Sequence, residues 1–152
     1  LEKLYELSEG MEFLDQLQDF MKDFFDADFV IGHNVQFDIK FLKHELNSLY
    51  EVGMIDETWE PKNSFCTMTY YKNICNIPAP RGNGIKNPKL SEVIDFLNIS
   101  QDKIATKANE LFQGSGNYHD ARFDTAAAYL LVIEGIKQKY IKPGFFSEQL
   151  KK

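Results

Sequence analysis

Two aspartates stand where helix periodicity expects apolar residues, and carboxylates in such places can do chemistry. Asp124 shares one face of a predicted helix with Ala121, Ala128 and Leu131. Asp38 lies about 60° from the centre of the apolar stripe of an earlier predicted helix, at the border of its core side. A buried carboxylate with no partner is costly, so Asp124 requires a cation, several hydrogen bonds or a basic partner such as Arg122 or a lysine.

A histidine accompanies the second of these aspartates. His119 lies five residues before Asp124, upstream of the predicted helix start, where Asp120 is the expected N-cap. From this loop an imidazole can lean over the carboxylate without sharing its helical face. Asp38 is in turn preceded by a predicted turn from strand to helix, in the run GHNVQFD.

The two motifs together resemble those of the DnaQ-like 3′ to 5′ exonucleases of the DEDDh subgroup. Residues 33–38, HNVQFD, are similar to the second exonuclease motif of that family, and residues 119–124, HDARFD, are similar to the third. The segment between them is similar to the middle portion of the family, and the likeness spans about residues 10–137. The resemblance implies an α/β, ribonuclease H-like exonuclease domain.

The resemblance also implies a reaction and assigns residues to it. Asp38 and Asp124 would hold two divalent ions, Mg²⁺ or Mn²⁺, with Asp38 reaching its metal through water and Asp124 bound directly; His119 would be the general base. Asn34 and Phe37 would contact the substrate, the single-stranded 3′ end of DNA or RNA. Such ions prefer carboxylate oxygens, and an imidazole that titrates near neutral pH suits proton transfer. A polymerase or another replication or repair protein is the expected partner.

The sequence departs from the family pattern at the first motif. An Asp-x-Glu pair on an opening strand is expected, but residues 1–12 contain no strand-like apolar run that carries one. Asp26 and Asp28 lie at an element edge, and Asp56 and Glu57 lie in a loop. We therefore expect that the N-terminal strands of the domain precede this chain and that residues 1–152 alone do not complete the metal site.

The elements that would position these residues alternate between helix and strand. Apolar residues recur every three or four positions over 11–25 and again from Val35 to Leu49, with Asn34 as the expected N-cap of the second helix. A short buried strand is predicted for residues 27–32, and a second for 64–71, although the latter could also open a helix. A loop with three Pro and two Gly, three further helices and a loosely held end follow: 78–88, then 90–97, 103–112 and 121–137, then 143–152.

Composition places the chain among globular proteins. It has 152 residues, 43% of them hydrophobic and 14% aromatic, which is enough for one domain with a sizeable core. The net charge is −6, yet it is uneven: residues 1–61 carry 4 basic and 15 acidic side chains, whereas residues 62–107 carry 7 basic and 3 acidic ones. The middle segment thus offers either a local basic rim or scattered lysines on a solvated face.

Other sequence features bear on location. Cys66 and Cys75 match neither a metal-ligand pair nor a disulfide framework, so free thiols are expected. No apolar run approaches the roughly 20 residues needed to span a bilayer, and the acidic first residues are unlike a secretory signal. A cytoplasmic protein with no membrane contact is expected.

Two other readings remain open at this stage. The doublet His119-Asp120 also occurs in HD-type metal-dependent phosphohydrolases, but that fold is all-helical, and the predicted strand before His33 argues against it. The chain could instead be a non-catalytic module that binds nucleic acid or protein and keeps only the exonuclease shape. A measurement of divalent-metal binding distinguishes a metal-dependent nuclease from the non-catalytic module.

Overall fold

The centre of the fold is a strand, a helix and a second strand that together make a parallel pair. The computed structural model describes residues 17–112 and 120–151. Strand β1 (Val30–Gly32) leads through helix α2 (Val35–Glu51) to strand β2 (Ser64–Cys66), and Val30, Ile31 and Gly32 face Ser64, Phe65 and Cys66 in register. A helical crossover is the usual way to join two parallel strands, so local sequence order and sheet topology agree.

Six further helices occur in the described part of the chain: α1 (Leu17–Asp26), α3 (Thr67–Cys75), α4 (Leu90–Phe96), α5 (Gln101–Phe112), α6 (Ala121–Lys137) and α7 (Phe145–Gln149). The architecture is therefore α/β, with seven helices and a two-stranded parallel sheet among the described residues. Within the same residues, no helix has the length and apolar character needed to cross a membrane.

The two faces of the strand pair are covered by separate apolar clusters. The α2-side cluster consists of Leu17, Val35, Ile39, Leu46, Ile55 and Trp59, and Val30 and Cys66 pack against it. The opposite, larger cluster contains Phe65 and the buried residues of α3 to α6. Because side chains alternate between faces along a strand, the parallel register separates Val30 and Cys66 from Phe65 in this way.

Helix α6 is the central element of the larger cluster, and a close approach fixes its position. The hydroxyl of the fully buried Tyr71, on α3, donates a hydrogen bond to the carbonyl oxygen of Leu131 at 2.8 Å. A Cβ at Gly135 would lie 2.0 Å from that hydroxyl. Only glycine therefore lets α3 and α6 pack at this distance.

Most predicted helices are confirmed, but the second strand is shorter than predicted. Residues 121–137 form α6, residues 35–51 form α2, and the helices predicted at 90–97 and 103–112 correspond to α4 and α5. Strand β2 ends at Cys66, and Thr67 already begins α3. The Thr- and Tyr-rich run has strand propensity, but burying Tyr71 against α6 favours the helix, which shows that tertiary packing overrides local preference.

The structure also differs from the loosely held end predicted for 143–152. Residues 145–149 form α7, and Phe145 and Phe146 pack against the larger cluster. The Phe146 ring meets Phe65 at 5.1 Å and Phe29 at 5.2 Å between centroids, both edge to face. Two aromatic side chains bury enough apolar area to hold five residues in place.

Candidate functional site

Asp38 lies in the first turn of α2, directly after β1. Its side chain is exposed rather than part of the apolar stripe, which runs through Val35, Ile39 and Leu46. Partial burial nonetheless raises the pKa of the Asp38 carboxyl, and a hydrogen bond from its own backbone opposes the rise. The carboxylate is thus less well solvated than a free aspartate and has a helix N-terminus beside it.

Asn34 and Phe37 frame this turn. Asn34 occupies the position before the helix with φ of 70°, in the left-handed region that asparagine tolerates, and its side chain makes no capping hydrogen bond. The predicted cap is therefore right in position but not in chemistry. Phe37 is 67% exposed, so its ring is free to meet a ligand.

Asp124 lies in the first turn of α6 and is half-buried. Of the residues predicted to share its face, Leu131 is fully buried, Ala128 is half-buried and Ala121 is exposed. The predicted apolar stripe is therefore confirmed only in part, and the buried face of α6 also includes Phe123, Ala127 and Leu130. The buried carboxylate of this helix is Glu134, which the sequence did not single out.

Glu134 is neutralised by two lysines. Its Oε1 lies 2.7 Å from Nζ of Lys103 and 3.1 Å from Nζ of Lys137. Hydrogen bonds from Lys103 and then Lys137 lower the pKa of the Glu134 carboxyl, and burial opposes the shift only in part. The i,i+3 spacing of Glu134 and Lys137 is a local signal that could have found half of this pairing, whereas Lys103 is 31 positions away and leaves none.

Asp120 and Arg122 form a closed pair at the start of α6. The Asp120 carboxylate accepts hydrogen bonds from the backbone N–H of Arg122 at 2.9 Å, from its Nε at 3.0 Å and from its Nη2 at 2.9 Å. The predicted N-cap is confirmed, and the Arg122 guanidinium is used by Asp120 and not by Asp124. Asp120 is consequently a poor metal ligand, which counts against the HD-type reading, as does the parallel strand pair.

His33 joins three segments behind the Asp38 turn. Its Nε2 donates to the carbonyl oxygen of Pro88 at 2.9 Å, and its Nδ1 lies within hydrogen-bonding distance of the Thr67 hydroxyl oxygen, at 3.0 Å. The same hydroxyl lies 3.2 Å from the carbonyl oxygen of Gly32. Burial lowers the pKa of His33, and the bond to Pro88 opposes this shift.

Cys66 lies where the N-termini of α2 and α3 approach each other. Burial raises the pKa of its thiol, but hydrogen bonds from the side chain and backbone of Thr69 and from the backbone N–H groups of Val35 and Asn34 outweigh it, and the pKa is lowered overall. The Thr69 hydroxyl is 3.4 Å from Sγ. The expected free state of both cysteines is confirmed.

In the described part of the chain, Asp38 and Asp124 each lie in the first turn of a helix. Neither Asp38 nor Asp124 makes a salt bridge there, in contrast to Asp120 and Glu134. His119 lies outside the described residues. Over 17–112 and 120–151, no three His, Cys, Asp or Glu side chains group closely enough to hold a metal ion.

Comparison with protein-family models, with curated proteins and with solved structures finds no match to this chain in any of the three.

Proposed function

We propose that this chain is the main part of a metal-dependent 3′ to 5′ exonuclease domain of ribonuclease H-like fold, which hydrolyses phosphodiester bonds of DNA or RNA. Asp38 and Asp124 hold the metal ions, His119 accepts the proton of the attacking water, and Asn34 and Phe37 contact the 3′ end of the substrate. The remaining two carboxylates come from an Asp-x-Glu strand that the sequence does not contain.

One observation carries the proposal: both carboxylates stand in the first turn of a helix that packs on the same strand. Helix α2 contacts β1 and β2, and helix α6 contacts β1. Asp38 and Asp124 are each unpaired among the described cations, although Arg122 is only two residues from Asp124. This arrangement supports a role for both carboxylates in binding a ligand rather than in stabilising the fold.

The donor set fits the proposed ions. Carboxylate oxygens are hard ligands that suit Mg²⁺ and Mn²⁺, and partial burial raises the pKa of Asp38, so a bound cation would compensate a charge that water solvates incompletely. When bound, two such ions would supply positive charge that stabilises the oxygens of the phosphodiester during hydrolysis. Phe37 offers an exposed ring against which a base can stack.

A second candidate is a non-catalytic module that binds nucleic acid or protein. The observation that favours it is the lack, among the described residues, of any group of three potential metal ligands. Two carboxylates alone bind a divalent ion weakly. They are therefore compatible both with an exonuclease whose other carboxylates lie elsewhere and with a non-catalytic module.

Calorimetric titration with Mn²⁺ tests the proposal. The measurement uses the 152-residue chain and a chain extended upstream through the predicted Asp-x-Glu strand. The extended chain should bind two ions, and Asp124→Asn should abolish binding, while Asp95→Asn, an exposed acid on α4, leaves it intact. An upstream sequence with no such strand, or an extended chain that binds no Mn²⁺, would favour the non-catalytic module.

Single-turnover cleavage of a 3′-ended oligonucleotide by the extended chain tests the role of His119. His119→Ala should lower the cleavage rate by about 10²- to 10⁴-fold, the usual contribution of a general base, while Mn²⁺ affinity stays nearly unchanged. If metal binding and cleavage are lost together, His119 is a ligand or a structural residue and not the base.

A further inference from the structure

A groove runs between α5 and α6, and three lysines line it. Its volume is about 380 Å³, near the lower end of the range of small-ligand sites, which suits a ligand the size of one nucleotide. Lys103, Lys107 and Glu110 line it from α5, and Tyr129, Glu134 and Lys137 line it from α6.

The charges of the groove leave it with a surplus of cations. Three lysines face two carboxylates, and the single carboxylate of Glu134 serves both Lys103 and Lys137. Each ammonium has three donors, so both retain N–H groups for another acceptor. Because the Glu134 side chain is only 12% exposed, it fixes the two ammonium groups side by side at the wall of the groove.

An aromatic ring lines the same groove, next to its third lysine. Tyr129 is 45% exposed, and Nζ of Lys107 lies over its ring, 5.7 Å from the centroid. Basic groups beside an exposed ring are the combination by which proteins bind nucleotides, because the phosphate takes the charges and the base stacks on the ring.

The groove is separate from the proposed exonuclease site. Tyr129 and Ile133 follow Asp124 by five and nine positions, which at about 100° per residue places them roughly 140° and 180° around α6 from it. A ligand in the groove therefore contacts the opposite side of this helix from Asp124.

We propose that the α5–α6 groove binds a nucleoside phosphate, either free or as one unit of a single strand of nucleic acid, with its base on Tyr129 and its phosphate on Lys103 and Lys137. This binding does not depend on the proposed exonuclease activity. Since Glu110 and Glu134 offset part of the positive charge, the affinity is modest, with a Kd on the order of 1 mM or below.

Binding is measured by calorimetry and amide chemical shifts on the 152-residue chain with adenosine 5′-monophosphate, inorganic phosphate and an unphosphorylated ten-residue oligonucleotide. Tyr129→Leu and Lys137→Gln should each weaken nucleotide binding at least about fivefold. Tyr50→Leu and Lys22→Gln are matched controls: Tyr50 is 48% exposed, Lys22 is an exposed lysine on α1, and both should bind like the parent chain.

The probes also distinguish the two sources of the ligand. Tighter, salt-sensitive binding of the oligonucleotide assigns the groove to a strand, and binding of the monophosphate alone assigns it to a free nucleotide. Three results overturn the proposal: no saturable binding up to about 10 mM, equal losses in the control variants, or phosphate binding as tight as that of the nucleotide with no effect of Tyr129→Leu. Thermal melts show whether each variant folds. If Tyr129→Leu does not fold, Lys137→Gln still tests the proposal.

Discussion

The two cysteines show how neighbours, and not exposure, set the chemistry of a residue. Cys66 and Cys75 are both half-buried. Hydrogen bonds from Thr69, Val35 and Asn34 outweigh the burial of Cys66 and lower its pKa. Burial, helped by the charge of Glu92, raises the pKa of Cys75. The thiolate is the reactive form, so the two residues should differ in rate.

We therefore expect iodoacetamide to modify Cys66 several-fold faster than Cys75 near pH 8. Peptide mapping by mass spectrometry after limited labelling measures both rates in one sample. Thr69→Val removes the hydroxyl donor to Sγ and should slow labelling at Cys66 while leaving Cys75 unchanged. Faster labelling of Cys75 in the parent chain would show that access, and not thiolate fraction, controls the reaction.

Single residues also show why the spacing of residues alone does not predict a site completely. Both aspartates lie in the first turn of a helix, and Leu131, on the predicted apolar face of Asp124, is buried. Ala121, assigned to the same face, is exposed, because the spacing of small residues does not show which of them are packed. The hydrogen-bond partners of His33 are 34 and 55 positions away, so no local sequence pattern predicts these hydrogen bonds.

At the scale of elements, the start of α6 depends on Asp120. Hydrogen bonds from the side chain and backbone of Arg122 lower the pKa of its carboxyl to about 2. An unfolded aspartate titrates near pH 4. Because the folded pKa is the lower one, the Asp120 contribution to stability is present above about pH 4 and is lost as the pH falls toward about 2.

Asp120→Ala should accordingly lower Tm by a few degrees at pH 7, through loss of the cap, and the difference from the parent chain should shrink as the pH approaches about 2. Thermal melts by circular dichroism at several pH values measure it. Asp124→Asn, in the same helical turn but without a described ion pair, should change Tm by less than Asp120→Ala. A larger effect of Asp124→Asn would support a structural role for Asp124.

The contact between α3 and α6 has no room for a side chain at position 135. Gly135→Ala should cost about 1–3 kcal/mol and lower Tm by about 5–10 °C, because the added methyl group would meet the Tyr71 hydroxyl at 2.0 Å. Gly84→Ala is the control, since nothing lies within 4 Å of its Cβ position. In a double-mutant cycle Tyr71→Phe should relieve part of the loss; strictly additive effects would contradict this contact.

Elements proved more predictable than their boundaries and contacts. The 4, 3, 4, 3 spacing from Val35 onward and the apolar run of α6 gave helices that the structure confirms. Strand β2 is shorter than predicted, with its second half in the helix that was the alternative, and helix α7 was not predicted. Both depend on partners elsewhere: Tyr71 packs on α6, and Phe146 packs on Phe29 and Phe65. Local propensity depends on neighbours in sequence and does not predict these distant packing contacts.

At the scale of the whole molecule, two apolar clusters meet across a sheet of only two three-residue strands. So small a sheet has few backbone hydrogen bonds, and side chains must supplement them. His33 does so by joining the end of β1 to Thr67 at the start of α3 and to Pro88 before α4. The relative position of the two clusters thus depends in part on one imidazole.

We expect this imidazole to make folding stability sensitive to mild acid. Burial lowers the pKa of His33 more than the Pro88 carbonyl raises it, so the folded state favours the neutral ring. An unfolded histidine titrates near pH 6.5. With the folded pKa below that of the unfolded chain, acidification protonates the unfolded state first, and the His33 contribution is lost as the pH falls below about 6.5.

His33→Gln should lower Tm by about 3–8 °C at pH 7.5, because an amide replaces the two ring hydrogen bonds imperfectly. The parent chain should lose this advantage progressively between about pH 6.5 and pH 5. His44→Gln is the matched control, since His44 is exposed on α2 and should show no such dependence. If the Tm difference between the parent chain and His33→Gln grew on acidification, the hydrogen bond to Pro88 would outweigh burial, and the folded state would favour the protonated ring.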